Sequence, residues 1–492
     1  MGIQRAGVLA GALLGVFLAA VEATIVSTAM PAIAADLGGL EYLGAVFSVY
    51  MLTSAVTTPV FGRLADRLGR RTAFVSGTLL FVLGSFASGL APNMPALVSF
   101  RALQGFGAGA VLPLATTIVG DLYEGEARAR AQALTSSVWA ISALVGPLLG
   151  AYLLRIGWPW VFWINVPAGL LSVALVGAFL RDPGSRVRRG EPLDARSVLV
   201  FTLAVSALVG ALELLAVHTR SSWSELLFPF VLAVVGILLL FAWTRIERTS
   251  TAPFVPREFW TDPFFLRANL GTFFLGGILI GQSAFLPTYV RLSLGAGTVA
   301  SGFALTMQSL GWTAASLATG FLLYRAGVRT TALWGAGAFL LGSAGFFYLR
   351  PGDPLALFYL ASAVVGIGLG TTNTAYLVAL QARVPWERRG TATAFNMFVR
   401  LLGSAVGAAA FGILVNRLAA WDLRREGLPP ESFSAWGGRG MGEAEAVPPL
   451  LAEAFSFGMH GVYALMFFLS LGMLWIALRI PADVLSAKDE KT

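Results

Sequence analysis

The sequence predicts an all-α integral membrane protein, a polytopic helical bundle, and three observations carry that prediction. Hydrophobic residues make up 57% of the 492 residues and charged residues only 12%, with a mean hydropathy of +0.75. An average soluble chain is about 25% charged, so water is not the main solvent of this one. Apolar runs long enough to cross a bilayer recur from end to end, and arginines gather between alternate runs. Helices follow rather than strands, because an open strand would leave backbone groups unpaired in hydrocarbon and the runs lack the alternation of a barrel.

Divided at charged or Gly- and Pro-rich breaks, the apolar segments fall at 7–30, 42–61, 72–91, 96–119, 131–153, 161–181, 196–217, 226–244, 266–290, 299–323, 331–349, 355–378, 392–416 and 458–480. At roughly 20 residues per crossing this is about fourteen spans. The first begins directly after Arg5 and outruns the roughly 7–15 residue core of a secretory signal, so it is expected to remain as a span. With the N-terminus inside, about two dozen arginines and lysines lie on the inner side against about eight outside, the bias that marks the cytoplasmic face. Both termini are therefore expected in the cytoplasm, in a multi-pass protein of the cell membrane.

The net charge of +8 would suggest nucleic acid for a soluble domain. Here the basic residues sit in short clusters between apolar runs, so membrane lipids are the expected partners and nucleic acid is not. Cysteine is absent, which removes disulfides, thiolate nucleophiles and Cys metal sites. His218 and His460 are far apart and lack metal-ligand spacing, so no metal is expected. No G-x-x-x-x-G-K-[ST] nucleotide loop is present. The GFGAG stretch of the fourth span follows no strand, and close helix packing explains its glycines better than a cofactor does. The expected cofactor list is empty, and no enzymatic activity is expected.

The chain repeats itself. Residues 62–72, GRLADRLGRRT, align without gaps on residues 320–330, GFLLYRAGVRT, at an offset of 258, and Glu126-Ala127-Arg128 aligns on Glu387-Arg388-Arg389 at 261. Both matches follow the second and fourth spans of a half, which two six-span halves with a two-span insert explain. The expected division is an N-terminal lobe at 1–181, a linker with two inserted helices at 182–265, and a C-terminal lobe at 266–492 with a long outer loop at about 417–457. Transporter folds are often built from such repeats, with the substrate path at their interface.

The loop GRLADRLGRR resembles the signature loop of the major facilitator superfamily, G-x-L-a-D-r-x-G-r-k/r. Gly62 and Gly69 permit a tight turn, while Asp66, Arg67, Arg70 and Arg71 can exchange salt bridges at the inner mouth. The resemblance implies that Asp66 bonds to the neighbouring half in the outward-facing state and releases it on switching. Asp121 and Arg128 or Arg130 would be its partners. Charge that serves topology alone is the alternative. The second copy has Tyr324 in place of Asp66, so a carboxylate switch is expected to be weaker there.

In the first span, VEATIVSTAMP at 21–31 is similar to the L-D-x-T-I-V-N-V-A-L-P pattern of the fourteen-span drug:proton antiporter branch, with Glu22 for Asp and Ser27 for Asn. A carboxylate inside a span costs about 2.5–3.5 kcal/mol or more unless paired or wet, so Glu22 is expected to be functional. A group whose charged form is disfavoured by desolvation is suited to taking up and releasing protons, and protons are the expected coupling ion. The fourth span opens with Arg101 and Gln104 in RALQGFGAG, resembling the family element R-x-x-Q-G-x-G-x-A. At 1.5 Å per residue, Glu22 lies about 12 Å and Arg101 about 8 Å from the outer ends of their spans. Those depths permit pairing, through which Arg101 would tune Glu22. A static ion pair is the alternative.

SALVGPLLGA at 142–151 resembles the antiporter signature g-x-x-x-G-P-x-x-G-G. Its Gly146, Pro147 and Gly150 are expected to allow close helix approach and a bend. Asn165, in WINVP of the sixth span, belongs to the same resemblance. Gln282, Gln308, Asn373, Asn396 and Arg400 also lie within spans and are expected to face a cavity or another helix. Glu213, near an outer end, is expected to be structural. Together these features imply a monomeric proton-coupled exporter of a small amphipathic or lipid-like substrate, working by alternating access. A lipid or glycolipid exporter of the same fold is the first alternative. A non-transporting membrane sensor or scaffold is the second, against which Glu22 and Arg101 argue.

Overall fold

A chain in hydrocarbon must satisfy its backbone within each segment, and all the regular structure in the described residues is helical. The computed structural model describes residues 2–37, 43–181, 194–217, 223–250, 253, 255, 257–296, 298–429 and 448–481. The helices are α1 (Gly2–Leu37), α2 (Leu43–Leu68), α3 (Arg70–Ser88), α4 (Met94–Leu122), α5 (Gly125–Leu154), α6 (Pro159–Trp163), α7 (Asn165–Phe179), α8 (Ala195–Val217) and α9 (Trp223–Thr249). They continue as α10 (Glu258–Thr261), α11 (Pro263–Leu292), α12 (Thr298–Tyr348), α13 (Leu355–Arg383), α14 (Arg389–Arg425) and α15 (Pro449–Leu478).

Ten stretches among the described residues are long and apolar enough to cross a membrane. One of these runs through both α6 and α7, and another contains both legs of α12, which is two helices joined at Gly327. Helices α2, α5 and α8, with 26, 30 and 23 residues, are also of membrane length.

The repeat in the sequence reappears as backbone geometry. Gly69, between α2 and α3, has φ 97° and ψ 153°; Gly327, its counterpart 258 positions on, has φ 79° and ψ 163°. Residues with a Cβ rarely adopt these values, so the same glycine makes the same turn in both copies.

Helix α1 packs on α4, α5 and α7, α3 on α4 and α7, and α2 on α4. A second group joins α11 to α14 and α15, α12 to α13 and α15, and α14 to α15. The two groups meet where α2 crosses α14 and where α5 crosses α12. The GFGAG glycines are packing devices, as expected: a Cβ on Gly105 would lie 2.4 Å from the Tyr50 carbonyl of α2, and one on Gly107 would lie 2.2 Å from the Phe81 nitrogen of α3.

Helices α8 and α9 form a hairpin, and α8 touches both α2 and α14. Aromatic contacts fasten it: the Phe201 ring lies 5.1 Å from Trp243 and 5.3 Å from Phe398. The buried Glu247 of α9 accepts from Ser197 Oγ at 2.6 Å. Phe228, Phe230, Leu238 and Phe241 on the same helix are exposed, as a lipid-facing surface requires.

The structure shortens the outer loop expected at 417–457. Helix α14 continues to Arg425 and α15 begins at Pro449, because Ala419 and Leu423 pack against Leu451 and Ala454. The polar pair Asn416-Arg417 thus ends the apolar run without ending the helix. The first part of the expected linker, residues 182–193, the loop centre at 430–447 and His218 lie outside the described residues, as does the side chain of Glu213.

Candidate functional site

The first polar cluster forms where α6 passes into α7. Pro167 has no N–H to give the Trp163 carbonyl four residues earlier, so one ladder bond is missing at this junction, while Ile164 between the two helices keeps helical dihedrals of φ −60° and ψ −27°. Asn165 is buried at the junction. Its Nδ2 donates to Glu22 Oε2 at 2.6 Å and to Ser85 Oγ at 2.9 Å.

Glu22 and Arg101 pair directly, with Arg101 Nη1 donating to Glu22 Oε1. The same Nη1 reaches Gln104 Oε1 at 2.7 Å, Arg101 Nε reaches the Val46 carbonyl at 3.3 Å, and the guanidinium lies 4.1 Å from the centre of the Tyr50 ring. Gln104 Nε2 donates to Ser85 Oγ at 3.0 Å, and Ser85 donates to the Phe162 carbonyl at 2.9 Å. All five side chains are buried, Glu22 being 1% exposed. A buried ion pair offsets its desolvation only when its remaining donors and acceptors are met, and here both carboxylate oxygens of Glu22 accept hydrogen bonds while Arg101 donates from Nε and Nη1. Sequence reasoning named four of these residues and missed Ser85 of α3. A lone serine in an apolar span usually bonds its own helix, so no sequence signal marks this one.

The second cluster joins the end of α2 to the start of α14. Asp66, at the end of α2, accepts from Arg70, from Gly390 N at 2.9 Å and from Thr391 N at 2.7 Å, with the Thr391 hydroxyl as a fourth donor. Gly390 and Thr391 stand in the first turn of α14, whose N–H groups have no partner within the helix. Asp66 therefore caps a helix of the other group, where the helix dipole favours negative charge. Arg70 also donates to Asp121 at 3.2 Å and to the Trp386 carbonyl at 2.6 Å, and Arg389 donates to Asp121 at 3.1 Å. Gly62 makes this crossing possible, since a Cβ there would lie 2.3 Å from Ala394 Cβ.

The structure corrects the expected partners of this cluster. Arg128 donates to the carbonyls of Gly120 and Tyr123 at 2.8 and 3.1 Å. Arg130 pairs with Glu126 at 2.7 Å and lies over Phe321 at 4.2 Å. The third residue of the EAR/ERR repeat does reach Asp121, but from the second copy, as Arg389. Arg67 is half-buried and Arg71 exposed.

The remaining candidates separate. Asn396 donates to Asn269 at 3.0 Å and to Thr272 at 2.9 Å, binding α14 to α11. Gln282 donates to Ser362 at 3.2 Å. Gln308 is buried, with an Oε1 that accepts no hydrogen bond. Arg400 reaches Asn373 at 3.1 Å. Gly146 and Gly150 are buried within α5, which runs as one helix through the motif, while the Pro147 side chain lies outside the described residues. Gln381, which no sequence signal singled out, bridges the groups by accepting from Gln132 at 3.1 Å and donating to Thr393 at 3.1 Å.

Known proteins resemble this chain over most of its length. The sequence profile of the Major Facilitator Superfamily matches residues 12–408. The multidrug transporter protein MdtP of Bacillus subtilis is 30% identical over 424 residues, covering 84% of this chain and 76% of its own. Multidrug resistance protein 3 of the same species is 30% identical over 447 residues, covering 89% and 84%. The solved structure of the proton:xylose symporter XylE superposes with a TM-score of 0.64 over 98% of this chain and 97% of that one, at 14% identity. That last likeness is one of fold.

Proposed function

The chain belongs to the Major Facilitator Superfamily, and from that premise we propose that it is a fourteen-span, proton-coupled exporter of amphipathic or lipophilic compounds working by alternating access. In this reading residues 1–181 and 266–492 are the two lobes and 182–265 the insert. The protein acts as a monomer in the cell membrane with both termini in the cytoplasm, which the arginine bias supports. The names of the two Bacillus relatives support efflux of small molecules.

The observation that carries the reading is the sealed Glu22–Arg101 pair with its Asn165, Gln104 and Ser85 shell. Protonating Glu22 removes its charge attraction for Arg101 and turns one carboxyl oxygen into a donor. Asn165 can answer by turning its amide to offer Oδ1. The cluster thus has two self-consistent arrangements, and a proton selects between them. The Asp66 cap on α14 holds the inner ends together, supporting a conformation closed toward the cytoplasm. Breaking that cap is the step that opens the inner side.

The test is transport in proteoliposomes under an imposed pH gradient. The wild-type protein is expected to move a fluorescent amphiphile against proton flow. Glu22→Gln is expected to remain folded, judged by monodisperse elution, and to lose proton-driven transport. Full coupling in that variant would overturn the reading.

A further inference from the structure

The strongly buried arginines among the described residues are each neutralised or held by the protein itself. Arg70 has Asp66 and Asp121, Arg101 has Glu22, and Arg128 has two carbonyls. Arg400 differs. It sits within α14 at membrane depth, half-buried, and its hydrogen-bonding partner is the neutral amide oxygen of Asn373. Among the described residues no carboxylate stands within salt-bridge distance of it.

Its placement is fixed. A Cβ on Gly276 of α11 would lie 2.1 Å from the Arg400 carbonyl, so the backbone of α14 is pinned at this residue while the side chain reaches α13. On the α13–α14 seam the rung nearer the inner end is Gln381–Thr393, and Gln381 also bonds Gln132 of the other helix group. Asn373 and Arg400 form the next polar rung, about two turns or 11 Å deeper. Thr393 and Arg400, seven residues apart, share a helix face. The Arg400 rung therefore lies above the closed inner end, on a seam that faces the other group.

The chemistry of the rung is one-sided. A guanidinium has five N–H donors and no acceptor, and the Asn373 oxygen already serves one of them. What remains is the other guanidinium N–H groups, the two N–H of the Asn373 amide and one lone pair of its oxygen, so donors predominate. The Glu22 charge is cancelled in place by Arg101, whereas no carboxylate among the described residues lies within salt-bridge distance of Arg400, and an uncompensated charge at this depth is costly.

We propose that Arg400, with Asn373, is the recognition point for an anionic group on the cargo, so that the exported compound is an amphipathic anion carrying a carboxylate or a comparable acidic group. This rests on the transport reading above for the word cargo, but its test reads binding and needs no coupled transport. The full-length protein in nanodiscs is titrated with dansylundecanoic acid, its methyl ester and the matching dansyl-alkylammonium, with empty nanodiscs as the blank. Wild type is expected to bind the acid about tenfold more tightly than the ester, the size of one modest charge-assisted contact, and the ammonium most weakly.

Arg400→Gln is expected to bind acid and ester alike, its unchanged ester affinity reporting an intact fold, while Arg400→Lys keeps most of the preference. Glu22→Gln is expected to keep the acid preference whether or not it retains coupling, so failure of the coupling mechanism and failure of anion recognition are read separately. Decanoate should displace the bound acid where acetate and inorganic phosphate at equal concentration do not. The proposal is overturned if wild type binds the ester or ammonium as tightly as the acid, if Arg400→Gln keeps the preference, if acetate or phosphate competes as well as decanoate, or if none of the three probes binds.

Discussion

At the first crossing between the two helix groups the end of α2 meets the start of α14, and Asp66 gathers Arg70, two backbone N–H groups and the Thr391 hydroxyl. At the second, the end of the first leg of α12 meets the start of α5, and the residue matching Asp66 is Tyr324, which is exposed. The turn glycines agree in φ and ψ, yet the contacts do not. A Cβ on Gly62 would overlap Ala394, whereas one on Gly320 would lie 3.1 Å from the nearest atom, the Arg130 nitrogen. The second crossing relies on Arg130 over Phe321 and on Thr313 donating to the Ser136 carbonyl at 3.3 Å. The backbone of the crossing repeats, while the carboxylate that caps α14 is present in one copy only. The charged contacts between the two helix groups are thereby concentrated at the crossing of α2 and α14.

This asymmetry can be broken in graded steps. The chain has no cysteine, so nitroxide labels introduced at the exposed Arg71 and Arg329 report separation of the inner ends without background. The largest effect is expected from Gly62→Ala, which overpacks the tight crossing and costs the closed state about 3 kcal/mol. The label distance should lengthen, and the matched Gly320→Ala should leave it almost unchanged. Equal responses from the pair would remove the asymmetry.

Asp66→Asn comes next. Losing charge-assisted bonds to a helix start costs about 2 kcal/mol, so the open population should rise by more than tenfold in the same measurement, while Tyr324→Phe should show no change. Thr391→Val deletes one donor to Asp66 and keeps the backbone N–H, for an expected cost of about 1 kcal/mol. Arg130→Gln should be smallest, since the Arg130–Glu126 pair is exposed and such pairs contribute about 0.5 kcal/mol. A shift from Arg130→Gln as large as that from Asp66→Asn would place closure on the second crossing.

Particular residues show how far the sequence could be read. Apolar run length revealed the long apolar helices because hydrocarbon imposes that length on any helix that crosses it. The missed continuation of α14 past Arg417 has the same cause: outside the bilayer, an amphipathic helix obeys packing on α15 and no longer the apolar count. Glu22 and Arg101 were legible because charge inside a span is expensive, and their depths agreed. Ser85 and Gln381 were not, since small or neutral polar residues are tolerated in spans without a distant partner.

What the sequence determined by itself is the all-helical membrane fold, the repeat and its turn glycines, and the identity of the charged residues inside it. Each of these depends on a local cost, paid residue by residue, that no partner can remove. What only the tertiary structure decided is who meets whom: Asn165 of α7 set against Glu22 of α1, Asp66 capping the first turn of α14 rather than pairing with Arg128, and Arg400 left facing an amide instead of a carboxylate. Those outcomes depend on which helices cross and at what height, and a charge carries no record in the sequence of the partner that will neutralise it.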